Sequence, residues 1–286
     1  MMKDSSAYYQ RQTRYQPKPD GSNSNSRMIS ELLGMAVLLV EDNAFNQQLV
    51  KTLLNSAGVH VTVSGNGREA LEQLRKYRFD AVLMDIQMPE MNGVDATRII
   101  REDPRNQDLP IFAMTANATL EDIHGYVSAG MNGTIAKPLH YQSLFDILKS
   151  CVLRDNLPTT SKGEVQGDSM GSNAHFHPDA AIERVGSNEI FLHMLDKFIP
   201  YYGQSVLKIM VAVADSNLVE AKRLAHTLKG AAATVGAPLL SDSARQLEIA
   251  FAKRESGQYS ELLEILRGEL SLVVCAIESY LGEGNC

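Results

Sequence analysis

Cysteine is scarce in this sequence, which has three in 286 residues: Cys151, Cys275 and Cys286. Their positions show neither the pairing of a disulfide framework nor the spacing of a metal-binding motif, so we expect scattered thiols and a cytoplasmic location. Long apolar runs are missing as well. The longest, MAVLLV at 35–40, is far too short to cross a bilayer, and the polar start lacks the pattern of a signal peptide. We therefore expect no membrane insertion.

Charge of one sign is not concentrated anywhere in the chain. Lys and Arg number 27 against 34 Asp and Glu, which gives a net charge of −7 without a long block of either sign. We therefore expect no nucleic-acid partner, because such a partner needs basic charge against its phosphates. The sequence also lacks a Gly-rich nucleotide segment such as G-x-x-x-x-G-K-[ST], and no region remains for a kinase nucleotide site. We expect a protein that cannot phosphorylate itself from ATP.

Four stretches of different composition divide the chain. The polar stretch 1–34 is typical of a flexible tail. Over 35–153, short β-branched runs alternate with amphipathic segments, and the continuous apolar runs predict an α/β domain whose parallel sheet has helices on both faces. The stretch 154–176, rich in Ser, Gly, Asn and Thr, predicts a linker. Over 177–286 apolar residues follow helical spacing, which predicts an all-α helix bundle.

Charged and hydroxyl side chains stand at the ends of the predicted strands. Glu41 and Asp42 follow the first strand, and Asp85 ends the third. Thr115 and Lys137 come at the ends of the fourth and fifth. In a doubly wound parallel sheet these strand ends converge at the crevice where ligands bind. Three crowded carboxylates favour a Mg²⁺ site, and the ammonium and hydroxyl beside them would neutralise a phosphoryl group.

The stretches VLLVEDN, DAVLMDIQMPEMNG, FAMTANA and IAKPL resemble the receiver domains of response regulators and hybrid sensor kinases. The resemblance implies a flavodoxin-like five-stranded sheet in the order 2-1-3-4-5. It also implies the site residues: Asp85 as phosphoacceptor, Glu41 and Asp42 as the acidic pair around Mg²⁺, Gln87 as donor of a backbone carbonyl to the metal, and Thr115 and Lys137 as phosphate contacts. Thr134 departs from the family pattern, because many receivers carry an aromatic switch residue at this position.

A rival interpretation concerns the segment SGNGREAL. Gly65, Gly67 and Ala70 fit the G-x-G-x-x-G/A fingerprint of dinucleotide-binding enzymes, with Asp85 as a later acidic residue. That fingerprint normally follows the first strand of its sheet, whereas here an earlier strand ends in EDN. We therefore favour a tight turn before a helix over a dehydrogenase site.

His226 lies on a predicted amphipathic helix, LVEAKRLAHTLKGAAATVGA. The helical period places His226 nearly opposite the apolar face, so we expect it to point into solvent. Lys222 lies one turn before it, Lys229 three residues after it, and Gly230 beside it. Two lysines would hold phosphoryl oxygens, and the small glycine would leave room for a docking partner. A neutral imidazole is a nucleophile at physiological pH.

The string AHTLKGAAATVGAPLLSDSARQLE resembles the active-site region of histidine-phosphotransfer domains, which are four-helix bundles, and the similarity covers 177–281. It implies that His226 is phosphorylated, that Lys229 orients the phosphate, and that Gly230 permits docking.

Together the two resemblances imply a two-component phosphorelay. We expect an upstream sensor histidine kinase to phosphorylate Asp85. The phosphoryl group would then be exchanged with His226 and passed on to a downstream response regulator. One alternative is a phosphorylation-dependent binding module with His226 as a phosphate sink. The sequence leaves open the oligomeric state and whether the chain is a free-standing intermediate or the terminal part of a hybrid kinase.

Overall fold

The computed structural model describes residues 32–116, 119–153 and 175–282. The predicted tail lies outside the described residues except for 32–34, and the predicted linker except for 175 and 176, so both stay predictions. Leu32, which lies within the predicted tail, is fully buried in the core of the first domain. None of the described helices combines the length and the apolarity that a bilayer crossing requires.

The first domain is a sheet with helices on both faces. Its strands are β1 (Ala36–Val40), β2 (His60–Ser64), β3 (Ala81–Asp85), β4 (Ile111–Thr115) and β5 (Gly133–Ala136). The helices are α1 (Ala44–Ser56), α2 (Gly67–Lys76), α3 (Gly93–Glu102), α4 (Leu120–Ser128) and α5 (Tyr141–Leu153). All strand pairs are parallel and the order is β2-β1-β3-β4-β5, which confirms the predicted topology.

Burial on both faces explains the continuous apolar runs of the strands. Every residue of β3 and β4 is buried. Helices α1 and α5 cover one face of the sheet, with Leu54 and Leu148 in its core, and α2, α3 and α4 cover the other, with Leu74 and Ile100. An asparagine caps the N-terminus of each of α1, α2 and α3 by accepting a backbone N–H, which fixes where these helices begin after the strand ends.

The second domain is entirely helical over its described residues. Its helices are α6 (Pro178–Val185), α7 (Asn188–Tyr202), α8 (Ser205–Ala214), α9 (Leu218–Thr234), α10 (Pro238–Lys253) and α11 (Tyr259–Leu281). Helix α8 packs against α9, α9 against α10, α10 against α11, and α11 back against α8. This closed ring is the predicted four-helix bundle. Helices α6 and α7 precede it, and α7 packs against both α11 and α1 of the first domain.

The two domains share an apolar contact between α1 and α7. Phe45 of α1 meets Phe198 and Tyr202 of α7 edge to face, with ring centroids 6.2 and 5.6 Å apart. A second contact joins α5 to the end of α6, where Gly186 lies against the ring of Tyr141. The carboxyl edge of the sheet therefore faces the helical domain.

The cysteines differ in their bonding. Cys151 on α5 is a free thiol, as expected. Cys275 on α11 is disulfide-bonded, so the expectation of scattered free thiols is wrong for this residue. A spacing rule misses such a bond, because disulfide formation depends on distance in the fold.

Candidate functional site

Three carboxylates meet at the carboxyl edge of the sheet. Glu41 and Asp42 follow β1, and Asp85 ends β3, the strand beside it. One oxygen from each carboxylate lies within 4.8 Å of the others. Lys137, just after β5, places its Nζ 2.6 Å from Glu41 Oε2 and 2.8 Å from Asp85 Oδ2. The structure thus brings these four predicted site residues together, as convergence of parallel strand ends requires.

The charges of this cluster are only partly balanced. Burial raises the pKa of Glu41 to about 7, with the charge of Asp85 adding to the rise and Lys137 opposing it. Burial and Asp85 also raise the pKa of Asp42. For Lys137, burial lowers the pKa, but the charges of Glu41 and Asp85 outweigh it and raise the pKa overall. One ammonium cannot neutralise three carboxylates, and a set of oxygen donors this close fits a hard divalent cation such as Mg²⁺.

Backbone and amide donors hold Glu41 in place. Its Oε1 accepts hydrogen bonds from the Asn43 backbone N–H at 3.3 Å and from Asn46 Nδ2 at 3.0 Å. Asn43 is also the N-cap of α1, where its Oδ1 accepts the Phe45 N–H at 2.9 Å. The start of α1 is therefore tied to the acidic cluster. Neither asparagine was predicted as a site residue, although the motif VLLVEDN contains the first of them.

Gln87 and Thr115 lie at the same edge of the sheet, beside the acidic cluster. The Gln87 backbone N–H donates to Asp85 Oδ1 at 3.3 Å, and its side chain is exposed. Thr115 is buried at the end of β4, with its hydroxyl 3.5 Å from that of Tyr126 on α4. The next residue, Ala116, lines the cleft above the carboxylates. Thr134, at the position where many receivers carry an aromatic residue, is buried on β5.

His226 on α9 is held by a carboxylate from the neighbouring helix. Its Nδ1 lies 2.9 Å from Glu248 Oε1, and Lys229 Nζ lies 2.8 Å from Glu248 Oε2. Burial raises the pKa of Glu248, but hydrogen bonds from His226 and Lys229 and their charges outweigh it and lower the pKa to about 2. Lys229 Nζ also lies 3.2 Å from Nδ1, but the nearer contact is the ionised carboxylate at 2.9 Å, which only accepts hydrogen bonds, so we assign the proton to Nδ1 of His226. Nε2 then carries the lone pair.

Glu248 was not predicted as a site residue. It ends the string on which the resemblance to histidine-phosphotransfer domains rests, and it lies on α10 beside the buried Ala244, Leu247 and Phe251. A carboxylate at the edge of an otherwise apolar helix face is the one signal in the sequence that could have found it, because such a group needs a partner.

A cleft of about 170 Å³ joins the acidic cluster to His226. The two domains line it from opposite sides, with residues including Glu41, Asp42, Asp85 and Lys137 from the first and His226, Lys229 and Gly230 from the second. The side chain of His226 is 24% exposed, so the expectation that it points into open solvent is wrong. It points into the cleft, because the first domain covers it.

The predicted docking residues differ in their placement. Lys222 is exposed on α9. Its neighbour Arg223, which was not predicted, places Nη1 3.8 Å from Asp42 Oδ2 across the domain boundary, while Glu220 holds the guanidinium through two hydrogen bonds. Gly230 lines the cleft, but a Cβ there would meet nothing within 4 Å. In this arrangement sterics alone do not require glycine at 230.

The structure argues against a dinucleotide site at Gly65 and Gly67. A Cβ on Gly67 would lie 2.8 Å from Ala96 Cβ and 2.9 Å from Met91 Cγ, so this glycine permits helix packing. The Gly65 N–H donates to Glu69 Oε2 at 2.7 Å. A carboxylate therefore occupies the helix start where a pyrophosphate would have to bind.

Comparison with protein families finds one match in each domain. The response regulator receiver domain family matches residues 37–149, and the Hpt domain family matches residues 193–274. Signal transduction histidine-protein kinase BarA of Escherichia coli (strain K12) is 30% identical over 82% of this chain. Aerobic respiration control sensor protein ArcB of the same strain is 31% identical over 76%. The chain spans 26% of the length of BarA and 28% of that of ArcB.

Among solved structures, the receiver domain of sensor histidine kinase PA1611 from Pseudomonas aeruginosa is 39% identical, with a TM-score of 0.40. The match covers 42% of this chain and 98% of that one, which is described with a magnesium ion coordinated in the active site cleft.

Proposed function

We propose that this chain, a response regulator receiver domain followed by an Hpt domain, is a two-component phosphorelay protein in which Asp85 and His226 exchange a phosphoryl group. One observation carries the proposal. The cleft is lined from one side by Asp85 and Lys137 and from the other by His226 and Lys229, so donor and acceptor face a common space within one chain. Positioning of this kind is the main contribution that a protein makes to phosphoryl transfer.

The first step loads Asp85. We infer that its carboxylate accepts a phosphoryl group from an upstream sensor histidine kinase, with Lys137 neutralising part of the added charge. Glu41, Asp42, Asp85 and the Gln87 carbonyl would hold Mg²⁺, which when bound neutralises phosphoryl oxygens. Thr115 would donate its hydroxyl to a phosphoryl oxygen. We infer that both domains lie in the cytoplasm, where kinases draw on ATP.

The second step moves the group to His226. Nε2 attacks phosphorus, the N–P bond forms, and the P–O bond to Asp85 breaks, which returns the aspartate to its carboxylate form. The ring keeps its Nδ1 proton and becomes cationic, so the Glu248 carboxylate at 2.9 Å stabilises the product. Lys229 lies close enough to balance the charge of the phosphoryl oxygens. His226 then passes the group to the aspartate of a downstream response regulator.

Radiolabel transfer tests this proposal in the full chain. Label supplied by a sensor kinase in the presence of Mg²⁺ is expected first as an acyl phosphate on Asp85 and then as phosphohistidine on His226. His226→Gln should retain the label on Asp85, Asp85→Asn should take none, and a chelator should prevent loading. The relay is wrong if His226→Gln leaves transfer to a response regulator intact. A phosphohistidine that forms but is never passed on would instead support the phosphate-sink alternative.

A further inference from the structure

Helix α8 has apolar side chains on two opposite sides. One side, which includes Ile209, lies in the apolar core of the Hpt domain. The opposite side exposes four residues, the outer stripe of α8: Leu207, Met210, Val211 and Ala214. The first three of these are large and are 57%, 40% and 52% exposed. A helix that is apolar all round is normally covered on every side, so the outer stripe is suited to a partner.

The outer stripe is separate from the cleft and from the contact between the domains. None of its residues lines the cleft, and all four stay exposed while the receiver domain packs against α7. The outer side of α10, by contrast, carries the polar residues Arg245, Gln246 and Lys253, as expected for a helix surface in water. A partner of the outer stripe is therefore something other than the receiver domain of the same chain.

The spacing of the outer stripe matches the contact side of a paired helix. Its residues stand at positions i, i+3, i+4 and i+7, which line up along one side of an α-helix. The stripe extends over about 10 Å, at about 1.5 Å per residue. Ridges of this kind pack into the grooves of a second helix. The outer stripe therefore fits a helical partner.

Two charges beside the outer stripe indicate which helix that partner is. Lys208 and Asp215 are exposed, and neither forms an ion pair with another residue that the structure describes. They are seven residues apart, so a rotation of about 100° per residue places them about 20° apart around the axis, on the same flank of the stripe. Two identical helices that pack antiparallel about a two-fold axis bring the same flanks together. Lys208 of each copy then lies opposite Asp215 of the other, whereas parallel packing would bring different flanks together.

We propose that a second copy of this chain docks on the outer stripe of α8, with the two α8 helices antiparallel about a two-fold axis near Val211 and Ala212. The axis passes there because this is the midpoint between Lys208 and Asp215. The stripe is small beside a standard interface of about 800 Å² per partner, so we expect a dimer that forms at about 10–100 µM. The inference does not rest on the proposed function, because the outer stripe lies outside the cleft.

Sedimentation of the full chain from about 1 µM to about 1 mM measures this association. The wild type should pass from monomer to dimer across this range. Val211→Glu should raise the dissociation constant about tenfold or more, because each dimer then buries two unpaired carboxylates. Val127→Glu supplies the matched control and should leave the dissociation constant unchanged. Val127 lies on α4 of the receiver domain and is 51% exposed, against 52% for Val211.

Exchange of the two charges tests the antiparallel arrangement. Lys208→Glu and Asp215→Lys each create two like-charge pairs in the proposed dimer, so either variant alone should have a dissociation constant raised about fivefold or more. An equimolar mixture of the two variants should dimerise like the wild type. In the mixed dimer the two substituted side chains attract each other in one pair, and the two native side chains do so in the other. Added salt should shrink these differences.

Circular dichroism of each variant shows whether its helices are intact. A wild type that stays monomeric up to about 1 mM overturns the inference. Loss of the dimer in Val127→Glu but not in Val211→Glu also overturns it and assigns the contact to α4. A mixture of Lys208→Glu and Asp215→Lys that dimerises no better than either variant alone contradicts the antiparallel pairing. None of these measurements uses a phosphoryl donor, so their failure leaves the relay untouched.

Discussion

In the proposed relay, the Glu248 carboxylate on a neighbouring helix selects the nitrogen of His226 that attacks phosphorus. The two residues are 22 positions apart in the chain, and their contact exists only because α9 and α10 pack side by side. Glu248 also binds Lys229, so it positions the nucleophile and a cation together. Removing its charge should affect both the rate of transfer and the stability of the Hpt domain.

We expect Glu248→Gln to slow transfer to His226 about tenfold, because the amide stabilises a cationic ring less well than a carboxylate. The variant should also lose about 1–3 kcal/mol of unfolding free energy at neutral pH. Folding lowers the pKa of this carboxyl from 4.5 to about 2, so its contribution is present above pH 4.5 and is lost as the pH falls towards 2. Urea unfolding of the wild type and the variant at several pH values measures the difference in their unfolding free energies. A difference that stays constant down to pH 3 would contradict the lowered pKa of Glu248.

Arg223 and Lys222 are adjacent cations on α9 with different surroundings. Only Arg223 is directed at a receiver carboxylate, and its side chain remains 42% exposed. Arg223→Ala should therefore lower the rate of Asp85-to-His226 transfer two- to fivefold, as expected for a pair worth about 0.5–1 kcal/mol, and added salt should shrink the effect. Lys222→Ala removes the same charge and should change the rate much less. Single-turnover assays at low and high salt compare the transfer rates of the two variants. Equal losses of rate in both would contradict the role of Arg223.

At the level of elements, the junction of α6 with α5 depends on a glycine. Gly186 has φ +75° at the C-cap of α6, and a Cβ there would lie 2.5 Å from the ring of Tyr141. The left-handed backbone and the close approach both disfavour a side chain. This contact and the one between α1 and α7 are formed by different elements, so the receiver meets the Hpt domain at more than one place.

Gly186→Ala should destabilise the protein by about 2 kcal/mol or more, from backbone strain together with the clash against Tyr141. Gly268 gives a control of opposite sign. It lies exposed within α11, where a Cβ meets nothing within 4 Å, so Gly268→Ala should stabilise the helix by about 0.5–1 kcal/mol. Urea unfolding followed by circular dichroism compares the two. A neutral Gly186→Ala would contradict the docked arrangement.

On the scale of the whole molecule, we expect transfer from Asp85 to His226 to be unimolecular, because both residues line one cleft within the chain. The rate of this step in the wild-type chain should therefore not depend on protein concentration. Mixing His226→Gln with Asp85→Asn should give a slower rate that rises with concentration, because the two sites must then meet by diffusion. A dilution series with quenched time points measures both. A wild-type rate proportional to concentration would show that transfer occurs between chains.

Much of the site could be predicted because each part of it depends on a local pattern. Apolar runs mark buried parallel strands, and residues at strand ends converge wherever such a sheet forms, so Glu41, Asp85 and Lys137 were identifiable from position alone. His226 stood out because it lies off the apolar face of α9, with lysines at 222 and 229 on either side of it. Arg223, Asn43 and Glu248 have no comparable pattern. Each has a partner that is distant in sequence, and the charge or polarity of a residue does not identify that partner.

The sequence by itself determined the parallel α/β character of the first domain, the helical character of the second and the chemical groups at the strand ends and on α9, because these follow from periodicity and residue type. The order of the strands followed from the resemblance to receiver domains. Only the tertiary structure decided that the two sites face each other. Phe45 and Leu54 are both apolar residues of α1, yet one enters the core of the Hpt domain and the other the core beneath the sheet. Hydrophobic burial is not directional, so an apolar side chain does not specify which surface will cover it. Shape and contact between folded domains make that choice.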